Sequence, residues 1–180
     1  MKIFVTRHGQ TKLNKASLMQ GRVDEPLNEN GIDQAGEVHE KLKDVKFDAV
    51  YSSPLKRAVR TAAVIADINE DEIVKDERLL EFDFGPYDLK PYMGVGLKMT
   101  LYWTFPEVFK APKDVETIEE AKSRVKAFLE ELKTKDYDNV LIVCHGGIIR
   151  VICGQLEGRK SGLRWRPRPK NCEVREYEVN

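Results

Sequence analysis

Two of the three histidines in this chain stand in matching surroundings. Phe4-Val5-Thr6-Arg7-His8-Gly9 and Ile142-Val143-Cys144-His145-Gly146-Gly147 each leave an apolar run and end in glycine. A third run closes on Ser52-Ser53-Pro54-Leu55-Lys56-Arg57. A guanidinium is a planar fork of donors matched to phosphate oxygens, so Arg7 and Arg57 beside two histidines point to a bound phosphoryl group. A neutral imidazole nitrogen can attack phosphorus and form a phosphohistidine, and His8 is the expected nucleophile. The arginines would favour its unprotonated form and, with His145, stabilise charge on the transferring oxygens. Helix N-termini after Ser53 and Gly146 would aim free N–H groups at the same anion. A metal held by His8, His145 and a carboxylate would sit beside two arginines and be repelled, so no metal is expected.

The leaving alkoxide needs a proton. In Arg78-Leu79-Leu80-Glu81-Phe82-Asp83-Phe84-Gly85, Glu81 is a carboxyl group among apolar neighbours that could raise its pKa enough for general acid work. Asp83 competes for the role, and the local sequence does not separate them.

These groups must be positioned by an α/β layer fold. Short β-branched runs, Ile3 to Thr6, Ala49 to Ser52 and Val140 to Cys144, alternate with segments of helical period, the pattern of a largely parallel sheet. Val174 to Val179 reads as a final edge strand. In such sheets ligands collect at the carboxyl ends of the strands, which would bring His8 and His145 together. Apolar stripes at Ile32, Ala35, Val38, Leu42 and Val45, and at Leu55, Ala58, Val59, Ala62 and Ala66, predict core-facing helices. Ser53 with Pro54 reads as the start of the second. Thr117 with Glu120 is a capping box opening a third, whose apolar face runs Ile118, Ala121, Val125, Phe128, Leu129 and Leu132. Between about 85 and 114 the periodicity lapses among prolines, glycines and aromatics that include Tyr92, Trp103 and Phe105, which predicts an apolar flap.

At 180 residues the chain has the length of one domain spanning 1–180. Lysine plus arginine and aspartate plus glutamate both total 30, so no net field draws it to nucleic acid or membrane, and neither is expected as a partner. Cys144, Cys153 and Cys172 form no CxxC pair and suggest a reducing compartment. The opening residues reach Arg7 before a signal-peptide core could form, and no apolar run approaches ~18 residues, so a cytoplasmic location is expected. The basic segment holding Arg159, Lys160, Arg164, Arg166, Arg168 and Lys170 reads as a solvated loop that helps draw in anions, His39 as a surface residue, and Cys144 as core.

The ordered set of motifs resembles the histidine phosphatase superfamily, the phosphoglycerate mutase-like family, over nearly the whole chain. Arg7-His8-Gly9-Gln10-Thr11 with Asn14 resembles its N-terminal signature. Gly21, Asp24, Pro26-Leu27-Asn28 and Gly31 follow, then Ser52 to Ala58 with Thr61-Ala62, Leu80-Glu81 with Asp83-Phe84-Gly85, and His145-Gly146-Gly147. The resemblance implies a three-layer α/β/α sandwich and no metal or organic cofactor. It implies that His8 is phosphorylated, that Arg7, Arg57 and His145 hold the phosphoryl group, and that Glu81 rather than Asp83 is the acid. It also implies that Asn14, Gln20, Gly21 and Gly146 contact substrate. The implied activity is hydrolysis of small-molecule phosphate esters, by a monomer or homodimer. Mutase-type transfer and α-ribazole phosphate hydrolysis are the alternatives. About 63 residues separate Glu81 from His145, shorter than in the large mutases and so favouring hydrolysis, and Leu89 follows Gly85-Pro86-Tyr87-Asp88 where many relatives have glycine, so a flap shaped differently from theirs is expected.

Overall fold

A computed structural model describes residues 1–179. Five strands, β1 (Lys2–Arg7), β2 (Ala49–Ser52), β3 (Val74–Lys75), β4 (Asn139–Cys144) and β5 (Val174–Glu178), form one sheet in the order β3-β2-β4-β1-β5. All neighbours are parallel except the edge strand β5, which runs antiparallel to β1. The six helices are α1 (Lys12–Lys15), α2 (Glu29–Leu42), α3 (Lys56–Ala66), α4 (Leu97–Thr104), α5 (Ile118–Leu132) and α6 (Ile148–Leu156).

Alternation along the strands divides the core in two. Ile3 and Val5 of β1, with Val140, Ile142 and Cys144 of β4, face a cluster built on α5, α6 and the flap. Phe4, Leu141 and Val143 face α2 and α3. Strands buried on both faces read as continuous apolar runs, which is why these two were visible in the sequence. Helices cover both faces of the mostly parallel sheet, as expected, and Cys144 is fully buried.

The helix ends show where local reading stopped short. Thr117 and Glu120 form the expected capping box. The helix read from Ser53 and Pro54 begins instead at Lys56, with Leu55 as its N-cap. Ser53 N–H still pairs with the Val143 carbonyl, extending the sheet, and the Lys56 N–H is capped from afar by Asp24 at 2.8 Å. Ile32, read as core, is 41% exposed because α2 packs through Ala35, Val38 and Leu42. His39 is half-buried and bonds the Ile65 carbonyl through Nδ1, tying α2 to α3.

One close approach shapes the turn after His8. A Cβ on Gly9 would stand 2.3 Å from the Gly31 carbonyl oxygen, and one on Gly31 would stand 2.1 Å from that of Gln10. Neither contact can relax without moving backbone. Gly31→Ala is expected to cost about 2 kcal/mol or more of stability, read as a lowered thermal midpoint; an unchanged midpoint would refute this account of the turn.

Candidate active site

Parallel register builds the centre of the site. Arg7 at the end of β1 pairs with Cys144 at the end of β4, so His8 and His145 leave the sheet side by side. Their ring centroids lie 5.1 Å apart. Ser52, ending β2, pairs with Val143, and the short link to α3 brings Arg57 to the same rim. Thr61 joins the two loops: its hydroxyl donates to the Arg57 carbonyl at 2.6 Å and accepts the Gly9 N–H at 3.0 Å.

Hydrogen bonds assign the protons on both imidazoles. His8 Nδ1 lies 2.7 Å from the Gly9 carbonyl, which can only accept, so Nδ1 carries the proton and Nε2 keeps its lone pair. Arg57 Nε lies 3.3 Å from His145 Nδ1 and can only donate, so His145 carries its proton on Nε2, which is buried without a partner. Burial, then the cations Arg57 and Arg7, push His8 well below the usual histidine range. Burial, then Arg57, His8 and Arg7, do the same to His145.

Both rings should therefore remain neutral at pH 6.5, where a free histidine is half protonated. Imidazole NMR shifts that titrate near 6.5 would refute this. The unfolded chain takes up these protons first, so this contribution to stability is complete above pH 6.5 and drains as pH falls below it. The loss approaches about 1.4 kcal/mol per pH unit for each ring.

Arg57 is almost fully buried. Its Nη2 donates to the carbonyls of Gln20 and Gly21 and its Nη1 to that of Val23, while burial pushes it down to about 10. Arg7 donates to the Pro169 carbonyl at 3.0 Å, and its Nε is buried without a partner. Gln20 accepts from Thr11 and Asn14 through Oε1, leaving Nε2 unpartnered. Asn171, which sequence reasoning missed, donates to the His8 carbonyl at 2.8 Å.

Glu81 does not sit in a purely apolar pocket. Phe82 N–H donates to Oε1 at 3.0 Å, and Gly147 N–H lies 3.2 and 3.0 Å from the two carboxyl oxygens. One N–H at each of the helix starts expected to face the anion is taken by a carboxylate: Gly147 N–H of α6 by Glu81, and Lys56 N–H of α3 by Asp24. A Cβ on Gly147 would come 2.6 Å from Glu81 Oε1, so glycine there lets the backbone reach the carboxyl group. Asp83 instead bonds the Gly85 N–H and pairs with Arg22, away from the cleft wall.

The cleft is lined by Arg7, His8, Asn14, Gln20, Gly21, Arg57, Glu81 and Gly146, all picked out from the sequence, and His145 lies buried behind it against His8. Larger grooves of about 610 and 690 Å³ lie elsewhere, but neither contains a histidine or this arginine cluster. Arg150, Arg168, Tyr92 and Trp103 also line the cleft. Arg150 was missed, although a lone cation within Ile148-Ile149-Arg150-Val151-Ile152 is itself a signal, since unpaired arginine is rare in an apolar stripe. The basic segment is a loop that exposes Arg159, Lys160, Arg166, Arg168 and Lys170, as read, but it is anchored to the protein at several points. Trp165 is 4% exposed, Arg164 pairs with Glu157, and Arg166 stacks on Phe105 and donates to the Thr104 carbonyl.

Paired imidazoles and clustered guanidinium groups at the carboxyl rim of a parallel sheet define a phosphoryl-handling enzyme. The chain belongs to the histidine phosphatase superfamily (branch 1), whose model matches residues 3–180, and it is a phosphatase of that superfamily. It is 30% identical over 189 residues to phosphoserine phosphatase 1 of Hydrogenobacter thermophilus, covering 99% of this chain and 85% of the relative. It is 28% identical over 169 residues to the adenosylcobalamin/alpha-ribazole phosphatase of Escherichia coli, covering 92% and 83%. The solved Bacillus stearothermophilus YhfR superposes with a TM-score of 0.87 at 28% identity, covering 99% of this chain and 91% of that one. No helix among the described residues is long and apolar enough to cross a membrane.

Proposed function

We propose that this phosphatase hydrolyses small phosphate monoesters without a metal, through a phosphohistidine on His8. The observation that carries the reading is the His8 Nδ1 contact with the Gly9 carbonyl, which leaves Nε2 as a neutral, lone-pair nitrogen among Arg7, Arg57 and His145. Nε2 attacks phosphorus and the ester oxygen leaves. Arg7 and Arg57 hold the non-bridging oxygens, and His145 donates its unpartnered Nε2–H to them. Glu81 protonates the leaving oxygen, then takes a proton from the water that cleaves the phosphohistidine and restores neutral His8. Asn14, Gln20, Gly21 and Gly146 complete the substrate wall.

Two arginines already supply the positive charge that a metal would bring, and a cation between them would meet their repulsion. Phosphate release from a panel of esters should therefore persist in excess EDTA. Loss on chelation with recovery on adding a divalent ion would overturn the metal-free reading. The short stretch between Glu81 and His145 favours hydrolysis over mutase-type transfer, and with 3-phosphoglycerate the product should be inorganic phosphate rather than an isomer. The alternative of α-ribazole phosphate hydrolysis is tested by including that ester in the panel.

A further inference from the structure

The phosphoryl chemistry leaves two cleft-lining arginines without a task. Arg150 projects from α6, one turn past Gly147, and Arg168 comes from the segment that follows α6. Arg150 is only 6% exposed, yet its guanidinium makes no hydrogen bond or ion pair among the described residues, and its Nε is buried without a partner. Burying an unpaired cation is costly, so a site that retains one is shaped for a counter-charge. Stacking holds both groups in place: Arg150 lies 4.5 Å from the ring centroid of Trp165, and Arg168 lies 4.9 Å from that of Tyr92. Trp165 is itself fixed by its Nε1–H to the Trp103 carbonyl at 3.0 Å. A guanidinium stacked on a ring keeps its in-plane N–H donors free for an anion.

We propose that Arg150 and Arg168 form a second anion subsite that receives a carboxylate on the leaving group, so that the substrates are small phosphate monoesters bearing a carboxylate. The inference rests on the phosphatase reading above and extends it to substrate class. Charge supports it: the cleft wall carries Arg7, Arg57, Arg150 and Arg168 against the single carboxyl group of Glu81. A phosphoryl group brings about two negative charges, which leaves positive charge over for one more anion. The one positive charge left over matches a carboxylate, which brings a single negative charge, whereas a second phosphate would bring about two.

The test uses esters matched except for the carboxylate: phosphoserine against phosphoethanolamine, and phosphoglycolate against ethyl phosphate. In the wild type, kcat/KM should favour the carboxylate-bearing member of each pair by at least about tenfold, the effect of one charge-assisted hydrogen-bonded contact. The ratio should fall toward one in Arg150→Gln and in Arg168→Gln. Arg168 is exposed, so its variant keeps the test open if loss of the buried Arg150 prevents folding. Turnover with a wild-type ratio near one, or a ratio that survives both substitutions, overturns the subsite alone. Preference for ethylene glycol bisphosphate over phosphoglycolate overturns the carboxylate in favour of a second phosphate. Failure of the wild type to turn over any ester overturns the phosphatase reading beneath it.

Discussion

His8→Ala is expected to reduce phosphate release from every monoester by about a thousandfold or more, because it removes the atom that accepts the phosphoryl group. The surrounding cradle does not depend on that ring. Arg57 is held by the carbonyls of Gln20, Gly21 and Val23, and Arg7 by that of Pro169. The variant should therefore still bind inorganic phosphate in a calorimetric titration while failing to form an acid-labile phosphoenzyme in a rapid-quench experiment. Phosphate release that survives the substitution would remove His8 from the chemistry and force a direct attack by water.

Glu81→Gln should divide substrates by leaving group. Alkyl phosphates, whose alkoxides cannot leave unprotonated, should slow by about 10² to 10⁴, whereas p-nitrophenyl phosphate, with its acidic phenol, should slow far less. The geometry makes this a clean substitution. The side-chain carbonyl of glutamine can accept the Phe82 and Gly147 N–H groups that now meet the carboxyl oxygens. Position is thus retained while the transferable proton is lost. Equal losses on both ester types would move the acid role elsewhere, and Asp83 would be a poor heir because it is engaged with Gly85 N–H and Arg22.

Much of this site was legible in the chain because its chemistry lies at the ends of strands. Apolar β-branched runs declare themselves, and the residue after each run must emerge at the carboxyl rim of a parallel sheet. The strand ends alone therefore place His8, His145 and Arg57 together. Glu81 could be nominated but not separated from Asp83 by local composition, since both occupy the same irregular stretch. What distinguishes them is the Gly147 N–H, which comes from 66 positions further along the chain.

The sequence by itself determined four of the five strands, the main helices that cover them, the family and the histidine–arginine core, because period, capping and residue type act over a few neighbouring positions; β3 (Val74–Lys75), two residues long, carried no such signal. The tertiary structure alone decided the meetings that no strand end announces. It bonded the Gly147 N–H to Glu81 and the Lys56 N–H to Asp24. It set the protons on the two imidazoles through the Gly9 carbonyl and the Arg57 Nε. It also turned a basic run and a lone helical arginine into Arg168 and Arg150 on the cleft wall, held by aromatic faces. Stacking and hydrogen bonding depend on direction and distance in space, and no spacing along the chain encodes either one.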